Sequence, residues 1–126
     1  MKDELIQYRL QQAQESLHEA DLLLKAGHSY RGSVNRSYYA MFYSVLALLV
    51  KSGKSTSKHG GVISMFDEQF VKRGIFAKEM SKALHKAFDL RQMGDYRELA
   101  EIEAKDAEEC LKQAKAFFKE VKKYLA

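Results

Sequence analysis

The sequence predicts an all-α protein folded as a helical bundle, and three observations carry that prediction. Its 126 residues include no proline and only seven glycines, four of them between positions 53 and 74. Little in the chain therefore interrupts a helix. Apolar residues recur at steps of three and four along five separate segments, which is the spacing of one helical face. Hydrophobic residues make up 46% and charged residues 30%, a balance suited to one soluble domain, residues 1–126, with a modest core.

The first segment spans about residues 3 to 26, where Ile6, Leu10, Ala13, Leu17, Ala20 and Leu24 form one stripe and Gly27 offers a C-terminal cap. The second spans about 30 to 52 and is apolar over a wider arc. Val34, Tyr38, Met41, Val45 and Leu48 make one line, with Tyr39, Phe42, Leu46 and Leu49 beside it. So broad an apolar surface predicts the central helix. A third line holds Arg36, Ala40, Tyr43 and Ala47, and its small residues let a neighbour approach closely.

SGKSTSKHGG, residues 52–61, reads as a loop. A shorter helix follows over about 60–73, with Val62, Met65, Phe66 and Phe70 inward and Gly74 at its end. The fourth covers about 77–93, with Met80, Leu84, Ala87 and Phe88 inward and Gly94 as its expected terminator. The fifth covers about 104–125, lined by Ala107, Leu111, Ala114, Phe118, Val121 and Leu125. Its acidic start and basic end suit the helix dipole.

Several function classes fall away. Cys110 is the only cysteine, which excludes an internal disulfide and a four-cysteine zinc site and fits a reducing, cytoplasmic setting. The N-terminal MKDELIQYRLQQ lacks a signal-peptide core, and AMFYSVLALLV is too short to span a bilayer. Neither export nor membrane insertion is expected. The four histidines show no helical metal-site spacing, and no serine elbow, P-loop or dinucleotide fingerprint is present. No metal or cofactor is expected. The formal net charge is +4, and residues 51–97 concentrate it, with ten basic and five acidic side chains. An acidic partner such as RNA is compatible with this excess, as is an ordinary soluble surface.

Two arginines stand out. Arg91 extends the stripe of Leu84, Ala87 and Phe88 by one step, where a guanidinium needs acceptors. It reads either as a helix-end salt bridge to Asp95 or Asp89, or as a group that holds phosphate. Arg36 opens the central helix, with Asn35 before it and Tyr43 two turns along the same face. Tyr38 and Phe42 read as plain core, with the tyrosine hydroxyl reaching the surface. His59, at a loop-to-helix start, reads as an ordinary polar loop residue or an anion contact.

NRSYYAMFYSVLALLVKSG, KHGGVISMFDEQFVKRGIF and FDLRQMGDY, in that order, resemble the HEPN-domain family (higher eukaryotes and prokaryotes nucleotide-binding). The likeness is to its small stand-alone prokaryotic subfamily, over about residues 5 to 124. The resemblance implies an all-α, up-and-down helical bundle with a four-helix core and a short extra helix. It also implies metal-independent ribonuclease activity in many members, through an arginine, a polar residue and a later histidine paired across a homodimer. Many members accompany a minimal nucleotidyltransferase as a toxin–antitoxin pair.

On that resemblance Arg91 takes the place of the motif arginine and Gln92 that of the polar residue, while Tyr96 stands where histidine is expected. Histidine titrates near neutrality and tyrosine near ~10, so tyrosine is a poor base at working pH. The candidate catalytic pair is thus Arg91 and Tyr96. The binding set is Arg91, Gln92, Asp95, Arg36, Asn35 and Tyr43. The leading expectation is a HEPN module that binds nucleotide, RNA or a partner protein, a homodimer that forms the HEPN half of a toxin–antitoxin-type pair with a minimal nucleotidyltransferase. The alternatives are a metal-independent endoribonuclease with the variant motif and a purely structural helical module.

Overall fold

Ile6, Leu10, Ala13, Leu17 and Ala20 are buried along one side of α1 (Lys2–Ala26), as their spacing predicts. The computed structural model describes residues 2–27, 29–56, 58–96 and 101–126, and side chains only as far as 93 in the third of these ranges. Beyond α1 lie α2 (Tyr30–Ser52), α3 (His59–Phe66), α4 (Lys78–Tyr96) and α5 (Ala104–Leu125), and the described residues contain no strand. The four long helices form the bundle core and α3 is the short extra one.

Helix α2 is central, packing against α1, α3, α4 and α5. Its predicted main line, Val34, Tyr38, Met41, Val45 and Leu48, is fully buried. The small residues explain how three helices crowd together. Ala13 and Ala20 on α1, Ala40 and Ala47 on α2, and Ala107 and Ala114 on α5 are all 0% exposed. Between α1 and α2 Ser33 Oγ donates to the Ala20 carbonyl at 2.8 Å, satisfying a hydroxyl that would otherwise be stranded in the core. Ser29 caps the start of α2 by accepting from the Gly32 N–H at 2.7 Å. Gly53 ends the helix at φ 72°, a left-handed conformation that glycine adopts without a Cβ clash.

Helix α3 runs directly into a π-helical turn, Asp67–Val71, before the chain reverses near Gly74. Phe66 anchors this region, with its ring centroid 5.1 Å from Phe117, 5.9 Å from Phe76 and 6.1 Å from Phe70. Asp67 ties the turn to α4, accepting from Ser81 Oγ and from His85 Nε2, each at 2.6 Å. The segment thus ends at Gly74 as expected, but its second half is wound wider than an α-helix.

The fourth helix corrects its predicted end. It continues through Gly94 to Tyr96 instead of stopping at 93. A helical glycine costs only about 1 kcal/mol against alanine, less than buried Leu84 and Ala87 contribute through packing. In α5 the Glu103 N–H donates to the Asp106 carboxylate at 3.1 Å, and Lys122 and Lys123 close the last turn. Among the described residues no helix is long and apolar enough to cross a membrane.

Candidate functional site

The wide apolar arc of α2 cannot be covered completely by its neighbours, and its edge exposes a row of half-buried rings, Tyr39, Phe42 and Tyr43. Tyr39 is 5.8 Å from Tyr43 and 5.9 Å from Phe42, centroid to centroid. Both arginines reach this row. The Arg36 guanidinium carbon lies 4.9 Å from the Tyr39 centroid and that of Arg91 lies 5.3 Å from it. Arg91 also lies 5.4 Å from the Tyr38 ring. The electron-rich ring faces attract both cations and offset some of their mutual repulsion.

Arg36 is further held by its own neighbourhood. Its Nη2 and Nε donate to Asn35 Oδ1 at 2.9 and 3.2 Å, and Nη1 stands 3.7 Å from Glu19 on α1. Asn35 therefore positions Arg36. Tyr43 joins the aromatic row through Tyr39 and Phe42, and Gln92 is exposed on α4. The side chains of Asp95 and Tyr96 lie outside the described residues.

His59, the first residue of α3, joins the same group, an arrangement sequence reasoning missed. Its ring stacks on Phe42 at 4.3 Å and 16°, and meets Tyr39 edge-on at 5.8 Å. Its Nδ1 is 2.8 Å from the Tyr38 hydroxyl. This corrects the expectation for Tyr38: the residue is 0% exposed, and its hydroxyl meets His59 inside the protein instead of reaching the surface. The sequence signal was the histidine of KHGG at a helix start, but no spacing rule links it to an arginine on the next helix. Burial drives the Tyr38 phenol above the ordinary tyrosine range, so it stays protonated. Burial, and then the Arg91 charge, hold His59 below its usual 6.5.

That depression gives stability a pH dependence. Below the usual 6.5 the unfolded chain takes up a proton at His59 before the folded one does. The contribution is present above that value and is lost as pH falls through the folded value. The melting temperature should therefore drop on acidification from neutrality, and His59→Gln should flatten that part of the profile when both are scanned by calorimetry. Cys110, by contrast, is buried in α5, and burial pushes its thiol up to about 12, which makes it a packing residue and not a nucleophile. Among the described residues no cluster of three or more His, Cys, Asp or Glu could hold a metal ion.

These features define a class: a small all-α bundle in which two arginines and a histidine from three helices gather on one aromatic surface. The chain belongs to the HEPN-domain family, whose model matches residues 6–124. It is 40% identical over 124 residues to a UPF0332 protein of Thermotoga maritima, covering 98% of this chain and 93% of that one. Two proteins of Methanocaldococcus jannaschii, each bearing the name "putative toxin", are also similar. One is 34% identical over 116 residues, covering 92% of this chain and 78% of its own, and the other 35% over 122, covering 97% and 90%.

Proposed function

We propose that the protein is the HEPN half of a toxin–antitoxin-type pair, a single cytoplasmic domain that binds the phosphates of RNA or nucleotide through Arg91 and Arg36. The observation that carries this reading is the convergence of both guanidiniums on Tyr39. Two cations held over one ring offer a fork for phosphate oxygens beside flat surfaces on which a base can stack. The toxin names of the archaeal relatives support the biological setting. In this proposal the module works as a homodimer, and a minimal nucleotidyltransferase is the partner that restrains it. Cleavage of RNA is the second reading, and a tyrosine at position 96 disfavours it because a phenol is a weak base near neutrality.

Binding of a fluorescent single-stranded oligoribonucleotide, read by anisotropy, tests the proposal. Arg91→Ala should weaken it about tenfold to a hundredfold, the loss of one or two charge-assisted hydrogen bonds, with helicity unchanged. Equal affinity of wild type and variant would remove Arg91 from the site.

A further inference from the structure

The hydrogen bond between α2 and α3 fixes which face of His59 is chemically active. Tyr38 is 0% exposed, so its hydroxyl hydrogen needs an acceptor within the protein. Among the described residues its one hydrogen-bond partner is His59 Nδ1, at 2.8 Å. If Nδ1 carried the proton instead, it would occupy the phenol oxygen and leave that buried O–H without an acceptor. Tyr38 therefore donates, Nδ1 accepts, and the imidazole proton sits on Nε2. Stacking on Phe42 holds the ring in that orientation. Nε2 itself has no hydrogen-bond partner among the described residues. The imidazole shares both of its tyrosine neighbours with Arg91, since each group contacts the rings of Tyr38 and Tyr39.

We propose that His59 is a ligand-binding residue of this site, its Nε2–H donating to a phosphate oxygen that Arg91 also engages, with Tyr38 as the residue that positions it. The ligand class is a phosphate ester, from an RNA strand or a mononucleotide. This deepens the phosphate-binding reading above and rests on it. In this tautomer His59 offers a donor and not a base, so the group brought to the arginine serves binding before proton abstraction.

The same anisotropy titration tests it, with two His59 variants. His59→Ala should bind the oligoribonucleotide about tenfold more weakly, the loss of one hydrogen bond to a charged acceptor. His59→Gln keeps an N–H donor and should stay within about threefold of wild type. Wild-type affinity in His59→Ala, with Arg91→Ala weakened, overturns the role of His59 and leaves the arginine reading intact. Unchanged affinity in both alanine variants, or no binding by the wild-type protein, overturns both. Equal loss in the alanine and glutamine variants overturns the donor role.

Nitrogen NMR of the wild-type protein labelled at histidine gives an answer independent of variant folding. His59 should show a bare Nδ1 and a protonated Nε2, and the Nε2 signal should move when oligoribonucleotide is added. A protonated Nδ1, or an Nε2 signal that does not move while the strand is bound, overturns the assignment. Adenosine monophosphate in place of the strand separates the two sources. An equal shift assigns the site to a mononucleotide, and a shift with the strand alone assigns it to RNA.

Discussion

Replacing Phe66 with alanine is expected to lower the unfolding free energy by about 3–5 kcal/mol, a large share of the roughly 5–15 kcal/mol of a typical domain. The ring is 0% exposed and is surrounded by Phe70, Phe76 and Phe117. The π-helical turn, the reversal after it and α5 all meet there, so no single neighbour can move in to fill the void. Urea denaturation followed by circular dichroism would measure the loss. A fall of less than about 1 kcal/mol would show that the cluster collapses around the gap and does not hold α3 in place. A further effect is expected at the site. Phe66 is the last residue of the helix whose first residue is His59, so loosening its anchor should weaken phosphate binding with every site residue intact.

Reversing the charge of Arg91 should produce the largest functional effect. Arg91→Glu is expected to weaken oligoribonucleotide binding by about a hundredfold or more, beyond the effect of alanine. The alanine variant only removes donors. The glutamate variant adds a negative charge to a half-buried position, where water screens it poorly, and that charge repels the incoming phosphate. It also offers Arg36 a competing anion on the shared Tyr39 ring. The salt dependence separates these effects. Removing one phosphate contact should reduce the slope of log affinity against log salt by about one. An unchanged slope with reduced affinity would mean that Arg91 organises the site without touching phosphate.

The fold was legible because its helices announce themselves by periodicity. Ile6 to Ala20 on α1 and Val34 to Leu48 on α2 step by three and four and are buried as that spacing requires. Gly94 misled because a glycine marks a helix end only where the surrounding packing lets it. The sequence carries no mark of the π-helical turn, since Asp67–Val71 keeps an ordinary amphipathic pattern. The arginines were legible as misplaced charges on apolar stripes. That Arg91 and His59 share the rings of Tyr38 and Tyr39 was not, because it arises from how α3 and α4 dock on α2. Conversely, the expectation for Tyr38 erred by treating its hydroxyl as a surface group, when a histidine from another helix meets it in the interior.

The π-helical turn carries a further consequence for chain length. Such a turn is an α-helix that has absorbed one residue more than its winding needs, and the hydrogen-bond ladder closes around the surplus. Removing one residue from an α-helix elsewhere would rotate everything beyond it by about 100° and carry its apolar face off the core. Removing the exposed Glu68 would instead let the ladder tighten to α-helical winding while Phe66 before it and Phe70 after it keep facing inward. Asp67–Val71 is thus expected to act as a slack point, where deletion of Glu68 should shorten the helix by one residue and leave His59 upstream and Arg91 downstream in place.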